Sequence, residues 1–495
     1  MTFEIVFVLL SLLGMVAALV ADKMRPGMIL FSVVVLFLCA GILTPKEMLE
    51  GFSNKGMITV ALLFLVSEGI RQSGTLGQVI KKLLPQGKTT VFKAQLRILP
   101  SVAFISAFLN NTPVVVIFAP IIKHWAKSVN LPATKFLIPL SYVTILGGIC
   151  TLIGTSTNLV VHGMILEAGF EGFSMFELGK VGIFIAIAGI IYIFLFSKRL
   201  LPDARPDTAV PDEEVEEGEK LHRVEAVLGA RFPGINKKLK DFNFQRHYGA
   251  EVKEIKTRNG QRFVSNLEDV VLHEGDTLVV MADDTFIPTW GESSVFVLLT
   301  NGNEPDTTGK KKRWFALLLL VLMIVGATVG ELPITKEMFP GIKLDMFFFV
   351  SITTIIMAWT NLFPARKYTK YISWDILITI ACAFAISKAM VNSGVADSVA
   401  KFIIGLSDDY GPHVLLAMVF IITNLFTELI TNNAAAALAF PLALSISAQL
   451  GVSPTPFFVV ICMAASASFS TPIGYQTNLI VQGIGNYKFT DFVRI

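Results

Sequence analysis

The sequence predicts an all-α, polytopic membrane protein of two repeated halves, with a small α+β domain between them. Three observations predict it. Hydrophobic residues make up 53% of the 495 residues and charged residues only 16%, where a soluble domain carries roughly a quarter. Apolar stretches approaching the ~20 residues that a bilayer-spanning helix needs recur along the whole chain. Short polar motifs also return at a constant spacing of 320 or 321 residues.

In chain order, the apolar stretches occupy residues 3–20, 27–42, 57–70, 98–125, 136–161 and 181–196, then 314–329, 346–359, 376–390, 414–430, 434–450 and 457–473. The first carries Glu4 where a signal peptide has its basic region, and no small-residue cleavage site follows, so a retained helix is expected. Cys39, Cys150, Cys382 and Cys462 lie in apolar surroundings without metal-ligand spacing. The six histidines have no such spacing either, and no Ser/His/Asp set survives the topology. An enzyme is not expected. The net charge of +3 gives no signal for nucleic acid.

The repeat divides the chain. Ser53 and Thr59 align with Ser373 and Thr379, Ser73-Gly74 with Ser393-Gly394, Asn111 with Asn432, Pro120 with Pro441, and Asn158 with Asn478. One such match could be chance, but several in one register argue for duplication. Transporters of many folds pair two repeats of opposite orientation, with the binding site where they meet. The expected organisation is a first transmembrane repeat over 1–200, an inserted domain with its linkers over 201–312, and a second repeat over 313–495.

The insert has a different character. It opens on the acidic run Asp212-Glu-Glu-Val-Glu-Glu217, read as a solvated linker. Strands are expected at 221–228, 250–255, 270–272 and 277–281, separated by turn signals at Arg258-Asn-Gly260 and His273-Glu-Gly-Asp276. Lys310-Lys-Lys-Arg313 abuts the next span, which by the positive-inside rule puts the insert in the cytoplasm and the protein in the cell (inner) membrane.

Four polar clusters interrupt the apolar stretches: Asn110-Asn-Thr-Pro113, Gly154-Thr-Ser-Thr-Asn158, Thr431-Asn-Asn433 and Gly474-Tyr-Gln-Thr-Asn478. Non-helical backbone at membrane depth is tolerated only inside protein or beside a wet cavity. The run before Asn110 is too short to span, so a re-entrant hairpin is expected there and again at Thr431. Thr112 reads as a cap with Pro113 at the first helical position. The clusters at 154–158 and 474–478 read as unwound points in longer helices. Four half-helix starts would converge, and their free N–H groups form an anion site without fixed cations. None of the clusters contains Lys or Arg. Oxygens of Ser106, Thr427, Asn111 and Asn432, with freed carbonyls, suit a hard cation such as sodium. Small polar residues also mark ordinary helix–helix contacts, but four clusters paired at one offset favour a shared site.

These motifs, Ser106-Ala-Phe-Leu-Asn-Asn-Thr-Pro113, Leu152-Ile-Gly-Thr-Ser-Thr-Asn158, Glu428-Leu-Ile-Thr-Asn-Asn433 and Thr471-Pro-Ile-Gly-Tyr-Gln-Thr-Asn478, resemble the divalent anion/sodium symporters (DASS). The branch resembled is the sulfate-transporter-like permeases with an inserted TrkA-C domain. The resemblance covers nearly the whole chain. It implies two inverted repeats with re-entrant hairpins, an elevator-type mechanism and a homodimer. It also implies a first sodium site at Ser106, Asn110, Asn111 and Gly154, and a second at Thr427, Thr431, Asn432 and Gly474. Asn111, Thr112, Thr155, Asn432, Asn433, Tyr475 and Gln476 would face the anion. Dicarboxylate members usually carry threonine in place of Asn433 and Thr-Pro-Pro-Asn in place of Tyr475-Gln-Thr-Asn478, and this departure favours an inorganic oxyanion such as sulfate. Phe232-Pro-Gly-Ile-Asn, Tyr248-Gly-Ala-Glu-Val and Glu274-Gly-Asp-Thr-Leu-Val-Val280 resemble a TrkA-C module, which would dimerise or bind a small nucleotide.

The expected function is sodium-coupled symport of a small divalent anion, with sulfate favoured. The alternatives are a sodium/dicarboxylate symporter and a proton-coupled transporter using Glu428, an acid within an apolar arm and so a functional candidate by default. Its register counterpart is Ala107, which favours structural pairing instead. Glu68 and Lys388 are read as marking water-facing helix faces, and Lys123 and His124 as snorkelling to an interface.

Overall fold

A computed structural model describes residues 3–21, 24–203, 221–229, 231–257, 261–283, 286–290, 295–300, 309–339, 341–405, 411–472 and 474–495. The acidic run 212–217 and the turn 258–260 lie outside the described residues.

The first half contributes α1 (Phe3–Val20), α2 (Pro26–Cys39), α3 (Lys55–Gln72), α4 (Thr75–Leu83), α5 (Val91–Ser106), α6 (Asn111–Ser128), α7 (Leu137–Gly148), α8 (Ser156–Glu167) and α9 (Gly179–Leu200). The second half contributes α10 (Lys310–Gly330), α11 (Met346–Trp359), α12 (Trp374–Asn392), α13 (Val395–Gly405), α14 (Gly411–Leu429), α15 (Asn432–Leu450), α16 (Thr455–Ser466) and α17 (Gln476–Gly485). Both α2 and α11 begin and end 320 residues apart, and α4/α13, α5/α14 and α8/α17 begin at that same spacing. The halves therefore share helix boundaries as well as motifs. Among the described residues seven helices are long and apolar enough to cross a membrane, and this is a multi-pass membrane protein.

Burial sorts the helices. All twelve residues of α7 are buried, and α15 is buried along most of its length. By contrast α1, α9 and α10 expose rows of Leu, Ile, Val and Phe, such as Ile183, Phe184, Ile187 and Leu195 on α9. In water such a surface would be a liability; in lipid it is the required one. Charge placement follows the repeat too. Lys55, opening α3, is ion-paired with Asp345, the N-cap of α11. In the other half Asp375, at the start of α12, lies beside Arg25, the N-cap residue of α2. The same two positions thus carry opposite charges with the signs exchanged.

The insert is a five-stranded antiparallel sheet in the order β3-β2-β4-β1-β5. Its strands are β1 (His222–Leu228), β2 (Glu251–Lys256), β3 (Arg262–Phe263), β4 (Thr277–Ala282) and β5 (Phe296–Thr300). The expected strand at 270–272 is corrected: Val271 makes only an isolated bridge with Lys238. The backbone of Val270 and Leu272 bonds instead to Leu239, Asn236 and Lys237, outside the five-stranded sheet. Strand β5 was missed, being too short to distinguish from any apolar run.

Candidate functional site

Four helices begin at the polar clusters: α6 at Asn111, α8 at Ser156, α15 at Asn432 and α17 at Gln476. The residues before them, Asn110, Thr155, Thr431 and Tyr475, have extended ψ angles between 131° and 148°, and none makes a side-chain cap bond. Some helices elsewhere in the chain are capped and others, such as those starting after Arg25, Phe136 and Ser373, are not. Asn54 accepts from the Gly56 N–H at 2.8 Å at the start of α3, and Asp345 from the Phe348 N–H at 3.2 Å at the start of α11. A helix start leaves its first N–H groups without intrahelical partners. At these four starts the preceding side chain does not supply that partner. The expected cap at Thr112 is corrected: α6 starts two residues earlier, Asn110 takes the N-cap place, and Pro113 is the third helical residue.

The starts meet crosswise. Thr112 Oγ1 donates to Gln476 Oε1 at 3.2 Å, joining the first hairpin position to the second half's break. The register-equivalent pair is Asn433 Oδ1, which accepts from Ser156 and Thr157 hydroxyls at 3.3 Å each. Asn111 Nδ2 donates to the Tyr475 hydroxyl at 2.6 Å, Thr155 Oγ1 lies 3.1 Å from that hydroxyl, and the Asn432 side chain stands near it. Asn111 and Asn432, distant in sequence, thus converge on one buried phenol.

The two cation-site candidates repeat each other. Ser106 Oγ donates to Asn111 Oδ1 at 2.8 Å, and Thr427 Oγ1 donates to Asn432 Oδ1 at 2.8 Å. Ser106 and Thr427 are fully buried, and Asn110 is buried in the turn before α6. Thr427 Oγ1 also lies 2.6 Å from the Ala465 carbonyl. The Thr431 hydroxyl is buried with no hydrogen-bond partner among the described residues. Gly154 packs on the Gly148 carbonyl, while a Cβ at Gly474 would lie 2.9 Å from the Thr427 carbonyl and collide with the Ser468 hydroxyl. Carbonyls and amide oxygens at such close quarters form a donor set suited to a hard monovalent cation.

Sequence reasoning missed Gly148 and did not give Asn158 and Asn478 a site role. Asn158 Nδ2 donates to the Thr151 and Gly148 carbonyls at 2.8 and 3.4 Å, bridging the break between α7 and α8. Asn478 Nδ2 does the same to Thr471 and Ser468 at 3.1 and 2.9 Å. Donor and acceptors shift by 320 residues in each case, so the repeat register, pursued past the Asn pair, carried the signal. Gly148 is the point where no side chain fits: a Cβ there would sit 2.5 Å from Asn111 Oδ1. Gly148→Ala is expected to raise the sodium concentration for half-maximal uptake by about tenfold, because overpacking costs roughly 1–3 kcal/mol at the displaced amide. A sodium titration of uptake checks it.

Glu428 accepts the Phe469 and Ser470 N–H groups at 3.1 Å each and the Ser468 hydroxyl at 3.4 Å. Its partners are polar groups of the segment after α16, which is the structural pairing anticipated for it. Glu68 is paired with Arg71 on its own helix. Lys123 is corrected: it reaches not an interface with water but Glu225 of the insert, at 3.0 and 3.1 Å.

Comparison with known proteins decides the family. The family model described as "Citrate transporter" (CitMHS) matches residues 16–451 and again 348–494. The chain belongs to the citrate transporter family. The transporter is 29% identical to an uncharacterized transporter of Synechocystis over 94% of this chain and 89% of that protein. It is 24% identical to the uncharacterized transporter YfbS of Escherichia coli over 100% of this chain and 96% of the relative. It is 23% identical to a probable sodium/sulfate cotransporter of Chlamydomonas reinhardtii, over 96% and 84% respectively. This is a secondary transporter and not an enzyme.

Proposed function

We propose that this transporter carries a small divalent anion, with sulfate as the favoured substrate, in symport with sodium. The observation that carries the reading is the convergence of four helix starts, tied crosswise by Thr112–Gln476, Asn433–Ser156 and the bond of Asn111 to Tyr475. Helix N-termini favour anions through free N–H groups and the aligned peptide dipole. None of the residues in these contacts is cationic, so the remaining charge opposing a dianion comes from co-bound cations. Ser106, Asn110, Asn111 and Gly154 would hold one sodium, and Thr427, Thr431, Asn432 and Gly474 a second. Asn111, Thr112, Thr155, Asn432, Asn433, Tyr475 and Gln476 would line the anion site. Sodium lowers the cost of burying the anion, and this is the physical origin of coupling.

The relative named as a probable sodium/sulfate cotransporter supports both the cation and the oxyanion. In this reading the halves are inverted repeats, the polar tips at 110–112 and 431–433 end re-entrant hairpins, and a homodimer moves its substrate by an elevator mechanism. Lys310–Arg313 hold the TrkA-C-like insert on the cytoplasmic side of the cell membrane. The test is labelled sulfate uptake into proteoliposomes under a sodium gradient, a proton gradient, or neither. Uptake driven by sodium and indifferent to the proton gradient is expected. Competition by thiosulfate and molybdate, but not succinate or citrate, fixes the anion class. Uptake that follows protons alone would transfer coupling to Glu428.

A further inference from the structure

The insert is not simply tethered between the halves; it is built onto two of the four helices that begin at the site. Val227 of β1 is fully buried within the apolar core of the membrane helices, and Val297 of β5 packs against that core. Glu225, two residues before Val227, is bound by Lys123 of α6 at 3.0 and 3.1 Å, with Lys256 at 3.6 Å and Arg223 at 4.0 Å. At the other helix, the Gly275 turn meets Leu479 of α17: a Cβ on Gly275 would stand 3.0 Å from Leu479 Cδ2. One turn further along α17, Gly483 faces Thr277 so closely that a Cβ on Gly483 would strike the Thr277 hydroxyl. Residues of both bodies, Glu274 and Gly275 with Gln476 and Leu479, line one cleft.

The helices so gripped, α6 and α17, are the pair that carries Thr112–Gln476 and Asn111–Tyr475. Their register counterparts, α15 and α8, carry Asn433–Ser156. We infer that the insert is a clamp fixed to α6 and α17 that stays docked throughout transport and positions this half of the site, with Thr277 and Gly483 as positioning residues. The inference rests on the anion-site reading given above. It has a mechanical consequence: the insert travels with the helices that carry the anion.

The geometry supplies its own test. A Cβ on Gly483 would lie 3.8 Å from the Thr277 Cβ, a separation near the mean for disulfides. Thr277→Cys with Gly483→Cys, in a chain whose four native cysteines are replaced, is expected to cross-link on mild oxidation. The oxidised protein is expected to take up sulfate within about twofold of its reduced form. A loss on oxidation that reductant restores would overturn the inference, because the insert would then have to undock. Failure of the bridge to form would overturn the docking itself. Formation of the bridge is read by gel mobility, so it decides docking even if no anion is carried; in that case the anion reading falls and not the docked clamp. The positioning role has a separate readout. Gly483→Leu is expected to pry the insert away at α17 and raise the anion KM about tenfold, with kcat little changed. An unchanged KM would contradict a role in shaping the site.

Discussion

Alanine at Asn111, or at Asn432, abolishes sodium-driven uptake while the protein remains folded. Each amide offers polar groups that the hydrocarbon cannot. Asn111 offers Oδ1 beside the Ser106 hydroxyl and Nδ2 to the Tyr475 hydroxyl, at 2.8 and 2.6 Å. Asn432 offers Oδ1 to Thr427 at 2.8 Å and stands near Tyr475. Removing either amide therefore removes a proposed cation ligand, and at Asn111 a tie between the halves as well. Interactions with charged groups contribute about 1.5–3 kcal/mol each, and every ~1.4 kcal/mol is tenfold, so a fall of about 100-fold or more is expected. Tyr475 keeps Thr155 as a partner at 3.1 Å in either variant. The melting temperature in detergent should accordingly move little, and initial rates of sulfate uptake decide the matter.

Alanine at Asn158 or Asn478 has a different signature: uptake is lost and stability falls with it. Both side chains are fully buried, and each spans a helix break by donating to two carbonyls. Truncation leaves those acceptors without their donor in a region closed to water. Each unsatisfied group costs about 1–3 kcal/mol, enough to lower the melting temperature by about 5 °C. Aspartate preserves the shape but not the donor, so Asn158→Asp and Asn478→Asp should resemble alanine. Melting curves and uptake measured on the same preparations separate these braces from the site amides, whose loss leaves the melting temperature in place.

The repeat and the four clusters were legible because a break in a membrane helix demands particular residues. Gly, Ser, Thr and Asn at 154–158 and 474–478 stand out against an apolar background, and one register links them. The crosswise pairing was only partly legible. That Thr112 meets Gln476, and Asn433 meets Ser156, depends on how the halves are oriented, which local pattern does not encode. The docking of the insert was illegible. Lys123 reads as a snorkelling lysine because its partner Glu225 lies in another domain, and Gly483 reads as an ordinary small helix residue until Thr277 is seen against it. Long-range contacts between unlike domains leave no periodicity to read.

The central claim is that bound sodium and four helix ends, rather than basic side chains, hold the anion. Equilibrium binding of labelled sulfate to the purified transporter, in sodium and in choline at equal ionic strength, tests this most directly. The account predicts saturable binding in sodium that weakens by about 100-fold in choline, the size of a coupling free energy near 3 kcal/mol. Equal affinity in the two salts would contradict it.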